Sequence, residues 1–321
     1  MKYRQLGRSA LKVSELCLGT MNFGPRTSEP ESFEILSEAV EAGINFVDTA
    51  NQYGGHLGVG TTETLLGRWL AEDRRRRDRI VLATKVHEPM SEVVNDRGLS
   101  ARHIQLACDA SLRRLKVDHI DLYQMHHIDR TAPIEEVWQA MDRLIAQGKI
   151  TYVGSSNFPG WAIAQANEKA IVRQRLGLVS EQSLYNLIER RIELEVLPAC
   201  RAYGVGIITW SPLAGGLLAG APTDPEGRRR SDDAVAAAAS RAGQLARFVA
   251  LCDNLVQSPS AIALAWLLRQ AGVTSTIIGP RSRDQLMSVL HVPGIVLDDQ
   301  TLATIEDIFP GVGPAPEAYA W

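Results

Sequence analysis

Short runs of apolar and β-branched residues recur along the chain without strict polar–apolar alternation, at 15–19, 44–48, 80–84, 119–124, 150–154, 178–181, 205–210 and 275–278. Runs of this length suit strands buried on both faces, as in a parallel sheet. Helical patterns separate them. Pro30 opens one at a first-turn position where its missing N–H costs nothing; Phe33, Leu36 and Val40 share a face, and Gly43 closes it. A second runs from Pro133 through Val137, Met141 and Leu144 to Gly148, and a third from Ser258 and Pro259 through Ile262, Trp266 and Leu267 to Gly272. Strand followed by helix, eight times over, predicts an α/β fold of the (β/α)8 TIM barrel type, with residues 1–321 as a single domain.

Two parts stand outside the repeat. Residues 1–13 precede the first strand and are expected to form an N-terminal β-hairpin that plugs the barrel floor. The interval from Val205 to Ser275 is much longer than the others and holds a polar, Pro/Gly/Arg-rich stretch at 222–233, then an Ala-rich helical run at 234–255. It reads as an insertion after strand 7, on the catalytic face and partly mobile.

Composition narrows the function classes. Among 321 residues, 34 Lys+Arg nearly balance 37 Asp+Glu, for a formal net charge of −3, so no chain-wide positive field points to a nucleic-acid partner. The four cysteines (Cys17, Cys108, Cys200, Cys252) are widely spaced with no C-x-x-C pair, against a disulfide framework or a metal site. No apolar signal core opens the chain, and no stretch reaches the ~18 apolar residues of a membrane span. A cytoplasmic enzyme without membrane partners is expected.

In a barrel the active site lies at the C-terminal ends of the strands. Strand 2 ends in Asp48 with Tyr53 close behind, strand 3 leads into Lys85, and strand 4 into His126. Taken singly, an Asp or Lys at a strand end is more often a cap or a salt bridge. Together the four have a chemical logic. A free tyrosine titrates near ~10 and exchanges protons poorly at neutral pH; a nearby ammonium favours phenolate, and a shift of ~2–3 units corresponds to roughly 3–4 kcal/mol. A buried lysine needs a counter-ion such as Asp48 to keep its charge, and an imidazole within reach orients or relays the proton. The set makes a tuned acid–base tyrosine, suited to protonating an alkoxide as it forms from a carbonyl.

These residues sit in stretches that resemble the aldo-keto reductases. Glu41-Ala42-Gly43-Ile44-Asn45-Phe46-Val47-Asp48-Thr49-Ala50-Asn51-Gln52-Tyr53-Gly54 is similar to the family's first signature, and so are Ala83-Thr84-Lys85 and Asp121-Leu122-Tyr123-Gln124-Met125-His126 in its later ones. Gly154-Ser155-Ser156-Asn157-Phe158, Glu181-Gln182-Ser183-Leu184-Tyr185-Asn186, Trp210-Ser211-Pro212-Leu213 and Ile278-Gly279-Pro280-Arg281 follow in the family's order across nearly the whole chain.

The resemblance implies a barrel that binds NADP(H) in an extended pose and delivers hydride to the carbonyl of a small-molecule substrate. By position Tyr53 is the general acid, Lys85 lowers its pKa, Asp48 holds Lys85, and His126 orients the carbonyl. Thr20, Met21 and Asp48 line the cofactor. Ser156, Asn157 and Gln182 match the residues that bond the nicotinamide carboxamide. Trp210 matches an aromatic ring stacked on the nicotinamide, with core packing as its alternative reading. Ser211, Pro212, Leu213, Gly215 and Leu217 match the pyrophosphate loop, and Gly279, Arg281 and Gln285 the 2′-phosphate and adenine site. A guanidinium that clamps a phosphate favours NADPH over NADH. Val289 stands where the family often has Asn, a departure at the adenine. Asn22, Phe23 and His127 fall at the substrate pocket.

Other features carry less. The glycine-rich stretch 54–60 lacks the Lys and Ser/Thr of a phosphate loop and reads as a rim of the mouth. The run Arg74-Arg75-Arg76-Arg77 reads as a solvated helix end, and His87, His103 and His119 as structural or exposed. The similarity is strongest to bacterial reductases, some resembling reductases of nucleotide-linked keto-deoxysugars. Broad reduction of aldehydes or ketones comes first, a keto-deoxysugar substrate second, and a cofactor-binding regulatory role like that of potassium-channel β subunits third. Oligomeric state stays open.

Overall fold

The structure, a computed structural model, describes residues 1–220 and 239–315. Eight parallel strands close into a barrel: β3 (Leu16–Gly19), β4 (Phe46–Asp48), β5 (Val81–Val86), β6 (Ile120–Met125), β7 (Ile150–Ser156), β8 (Leu178–Leu184), β9 (Gly206–Trp210) and β10 (Val273–Ile278), with β10 pairing back onto β3. Each of the eight apolar runs is one of these strands. Several are longer than their patterns suggest, β7 reaching Ser156 and β10 beginning at Val273. β5 carries on through Lys85 and β8 through Gln182, because those polar side chains find hydrogen-bond partners inside the barrel and need not leave the sheet.

Helices wrap the strands: α1 (Glu29–Glu41), α2 (Thr61–Glu72), α3 (Arg75–Asp78), α4 (Ala101–Leu115), α5 (Ile134–Ala146), α6 (Gly160–Val172), α7 (Val196–Tyr203), α8 (Ala242–Asn254), α9 (Pro259–Arg269), α10 (Arg283–Met287) and α11 (Asp299–Ile308). Ser28 caps α1 by accepting from Glu31 N, and Pro30 sits in its first turn. Leu36 and Val40 are buried with Ile35 and Ala39, while Phe33 sits at the edge of that face. In α5, Val137, Met141 and Leu144 face inward. Ser258 caps α9, which is buried almost all round and carries Ile262, Trp266 and Leu267 into the core.

The stretch 222–233 and the first part of the Ala-rich run lie outside the described residues, as do residues 316–321. The rest of that run is α8, which buries Phe248 and Cys252 and sets Phe248 edge-on to Phe309 at 5.4 Å. Among the described residues no single helix is long and apolar enough to cross a membrane, and no cluster of side chains could hold a metal ion. The four cysteines are buried and unpaired.

The arginine run corrects an expectation. Arg74 and Arg75 are exposed as expected, but Arg76 lies over the Trp69 ring at 4.8 Å, and Arg77 pairs with Asp121 at 2.8 Å while donating to the carbonyls of Ile80 and His119. The planar fork of a guanidinium matches carboxylate and carbonyl together, so these residues tie α3 to the start of β6.

The expected hairpin is present. β1 (Tyr3–Gln5) pairs antiparallel with β2 (Lys12–Ser14), and the turn between them enters the barrel floor. Leu6 and Val13 complete an interior cluster with Cys17, Phe46, Val81, Ala83, Leu122, Val179 and Ile208. The lower barrel is therefore apolar and sealed, and chemistry is confined to its upper end. The seal depends on Gly7, at φ 53, where an added Cβ would stand 2.2 Å from Val179 O and 2.7 Å from Gly204 O. Positive-φ strain and overpacking against backbone together predict that Gly7→Ala lowers stability by about 2–4 kcal/mol. Urea unfolding monitored by circular dichroism checks this; a loss under about 0.5 kcal/mol would remove the plug from the list of stabilising elements.

Candidate active site

The upper end of the barrel is built from polar side chains that strand geometry turns inward. Register sets Gly19 beside Asp48, Lys85 beside Gln124, and Ser156 beside Gln182. Lys85 has no exposed surface and Asp48 almost none. Lys85 Nζ donates to Asp48 Oδ2 at 2.6 Å, to the Thr49 carbonyl at 2.9 Å and to Tyr53 Oη at 3.4 Å. The other Asp48 oxygen accepts from Gln124 Nε2 at 3.0 Å and Gln182 Nε2 at 2.9 Å. Burial opposes the charge on Lys85, but Asp48 and then Tyr53 outweigh it and leave the ammonium above its ordinary 10.5. The pair is ionised and fully hydrogen-bonded, the condition under which a buried charge is tolerated.

His126 ends the arc. Its ring lies 6.1 Å from that of Tyr53, at 77°. Burial first, then the Lys85 ammonium, pushes its pKa down to about 2, so the imidazole is neutral. Its Nδ1 is buried without a partner, which leaves Nε2 as the ring nitrogen toward the mouth. Asp48, Tyr53, Lys85 and His126, picked out at separate strand ends, thus converge. Gln124 belongs with them and was not singled out; a glutamine between the apolar Tyr123 and Met125 of β6 was the available signal.

Around this centre several residues that the sequence resemblance assigned to a cofactor form a hydrogen-bonded chain. Trp210 Nε1 donates to Asn157 Oδ1 at 3.0 Å, and Asn157 Nδ2 donates to the His126 carbonyl at 3.1 Å and to Ser156 Oγ at 3.0 Å. Ser156 Oγ donates to the Gln182 carbonyl at 2.8 Å. Beyond β9, Ser211 (φ 52), Ala214 (φ 50) and Gly215 (φ 66) run through left-handed conformations in the loop holding Pro212, Leu213 and Leu217; Asn186 anchors it by donating to the Ser211 carbonyl at 3.0 Å. Thr20 is buried, donating to the Asp48 carbonyl at 3.0 Å, and Met21 is exposed on the rim. Asn22 donates to the Gly279 carbonyl at 3.0 Å, and Gln285 accepts from Arg281 N at 2.9 Å. Val289 is buried, so an apolar contact stands at that position.

One pocket assignment changes. Phe23 has no exposed surface and packs in the core, while its carbonyl accepts from Thr62 Oγ1 at 3.0 Å. The tight turn after Thr20 directs an aromatic side chain inward where burial stabilises it most. His127, by contrast, stays half-exposed and stacks on His126 at 5.1 Å and 12°. His103 is buried, His119 is exposed, and His87 sits edge-on to His127 at 5.5 Å, so His87 belongs to the mouth.

Glu181 lies beneath the Ser156–Asn157 turn, fully buried, and was quoted as a strand end and within a motif but given no role. It accepts from Ser183 Oγ at 2.8 Å, Phe158 N at 3.2 Å and Ser155 Oγ at 2.5 Å. Burial raises its pKa from 4.5 to about 7 despite these bonds. Because the folded pKa is raised, the native state holds the proton that the unfolded chain releases. The associated stability is complete below about 4.5 and is lost as pH rises through about 7, a change of ~3 kcal/mol. Glu181→Gln cannot titrate, so urea titrations at pH 5 and pH 8 should show the variant gaining on wild type by about this amount; a pH-independent difference would refute the assignment.

Comparison with known proteins agrees with this geometry. Residues 15–309 match the aldo/keto reductase family. The chain is 47% identical to an uncharacterized oxidoreductase, YrpG, of Bacillus subtilis over all of both chains. It is 34% identical to norsolorinic acid reductase B of Aspergillus parasiticus, covering 96% of this chain and 84% of that one. It is also 32% identical to a probable voltage-gated potassium channel subunit beta of Arabidopsis thaliana, covering 99% and 100%. With an eight-stranded barrel, a buried Lys–Asp pair against a tyrosine, and a family match across nearly its whole length, the chain belongs to the aldo/keto reductase family.

Proposed function

We propose that this protein is an NADPH-dependent reductase of aldehydes and ketones in which Tyr53 is the proton donor. The observation that carries the reading is the position of Lys85 Nζ, 2.6 Å from Asp48 Oδ2 and 3.4 Å from Tyr53 Oη. An ammonium so placed stabilises the phenolate that remains once the proton has left, and Asp48 keeps that ammonium charged. Neutral His126 offers an N–H to the carbonyl oxygen, which both orients the substrate and favours charge developing on that oxygen. Tyr53 then gives its proton to the same oxygen, completing the alcohol.

The residues present fit a nicotinamide dinucleotide. Both protons of Gln182 Nε2 go to Asp48 and Gln124, so its carbonyl oxygen is the atom suited to a carboxamide N–H, beside Ser156 and Asn157. The left-handed run at Ser211, Ala214 and Gly215 shapes a loop of the kind whose backbone receives phosphate oxygens, and at Gly215 nothing lies within 4 Å of where a Cβ would stand. Arg281 would meet the 2′-phosphate. When bound, NADPH supplies the hydride that attacks the carbonyl carbon. The reductase names of several relatives support the direction of this chemistry.

Tyr53→Phe is expected to lower turnover of benzaldehyde by about 10²–10⁴-fold while NADPH affinity, read by fluorescence titration, changes little. Activity within a few-fold of wild type would sink the proton-donor assignment. Tight NADPH binding by wild type without turnover across a wide carbonyl panel would instead favour a binding role of the kind the channel-subunit names carry. Arg281→Ala should raise the dissociation constant for NADPH by about tenfold or more, with NADH nearly unaffected. Equal losses for the two cofactors would place the 2′-phosphate elsewhere.

A further inference from the structure

The mouth beside His126 carries a carboxylate that the reduction itself does not use. Glu88 follows β5 on the loop that faces His127, with about a quarter of its side chain exposed. Its Oε1 lies 3.2 Å from His87 Nδ1 and 3.3 Å from His127 Nε2. Both imidazoles thus meet one oxygen, and among the described residues no donor reaches Oε2. His127 in turn stacks on His126, so Glu88 stands one imidazole's width beyond the group that orients the carbonyl.

The charge on this wall is negative. Burial holds His127 below the ordinary imidazole value more strongly than Glu88 raises it, so His127 does not cancel the carboxylate at neutral pH. Asp129, whose carboxylate approaches Gly98, and Asp96, 3.4 Å from His103, add acidic groups on the same loops. The basic residues adjacent in sequence, Arg97 and Arg130, are exposed, and Arg130 lies over the Trp161 ring at 5.9 Å. Farther along the same loop Val93 and Val94 are exposed, and the loops after β3 and β4 expose Met21, Leu57 and Val59.

We propose that Glu88 determines substrate choice: its carboxylate accepts a hydroxyl carried about one ring's width from the reacting carbonyl and excludes substrates bearing an anionic group there. The inference rests on the carbonyl-reductase reading and names the class of substrate, a neutral, hydroxyl-bearing carbonyl compound with an apolar body. A hydrogen bond to an ionised acceptor is worth more than a neutral one, which rewards the hydroxyl. Two carboxylates facing one another with no cation between them supply the exclusion.

The test compares kcat/KM for benzaldehyde, 3-hydroxybenzaldehyde and 3-carboxybenzaldehyde with saturating NADPH at pH 7.5, in wild type and Glu88→Gln. Wild type should prefer the hydroxyl compound to benzaldehyde by about fivefold and disfavour the carboxylate by about tenfold or more. In the variant the carboxylate penalty should shrink by about tenfold and the hydroxyl preference by a smaller factor, since an amide oxygen still accepts. Each ratio is internal to one protein, so a general loss of activity or of folded fraction does not imitate the result. Benzaldehyde turnover with both ratios unchanged within twofold between the proteins overturns the Glu88 assignment alone. Absence of turnover on all three aldehydes overturns it together with the reductase reading.

Discussion

Lys85 and Asp48 form an ion pair with no access to water, and the upper half of the barrel is organised around satisfying it. Taking either charge out of water alone costs several kcal/mol. The structure offsets that cost by giving every charged atom a partner. The ammonium meets Asp48, the Thr49 carbonyl and Tyr53, and the second carboxylate oxygen meets Gln124 and Gln182. Those partners come from β4, β6, β8 and the loop after β4, so the pair also holds the strands in register at the end where ligands approach. Removing either charge would strand the other in a dry interior.

The two halves of the barrel divide the labour. Below, the hairpin drives Leu6 into an apolar cluster at the floor of the barrel. Above, hydrogen bonds replace apolar packing. The chain from Trp210 through Asn157 to the His126 carbonyl joins the ends of β9, β7 and β6, and Glu181 braces the turn beneath it. This turn places Asn157 at φ 56, a left-handed conformation that asparagine tolerates better than most residues. The mouth is therefore tied together at its base by hydrogen bonds, and Glu88 and His127 stand on the loops above it.

Much of this was legible before any coordinates. Strands buried on both faces announce themselves as unbroken apolar runs, and all eight were visible. The helix starts at Pro30 and at Ser258-Pro259 use local chemistry that the sequence shows directly. What spacing misread was polar residues whose partners are remote in sequence. Lys85 and Gln182 were placed past their strands because nothing local showed that Asp48 would receive them. Arg77 was read as solvated because its carboxylate, Asp121, arrives from another strand. Phe23, adjacent in sequence to rim residues, turned inward because a backbone turn set its direction.

By itself the sequence determined the barrel, its eight strands, and four residues able to carry acid–base chemistry at strand ends, since periodicity and residue type act over short range. Only the tertiary structure decided which protonation states those residues hold and what stands beside them. Burial acts through distance in space: it drives His126 to about 2 and Glu181 to about 7, while at Lys85 the Asp48 carboxylate, 2.6 Å away, and Tyr53 together outweigh it. The same holds for Glu88, an unremarked loop residue in the linear chain. Folding sets it one ring away from His126, because β5 and β6 are neighbours in the sheet and their loops open on the same mouth.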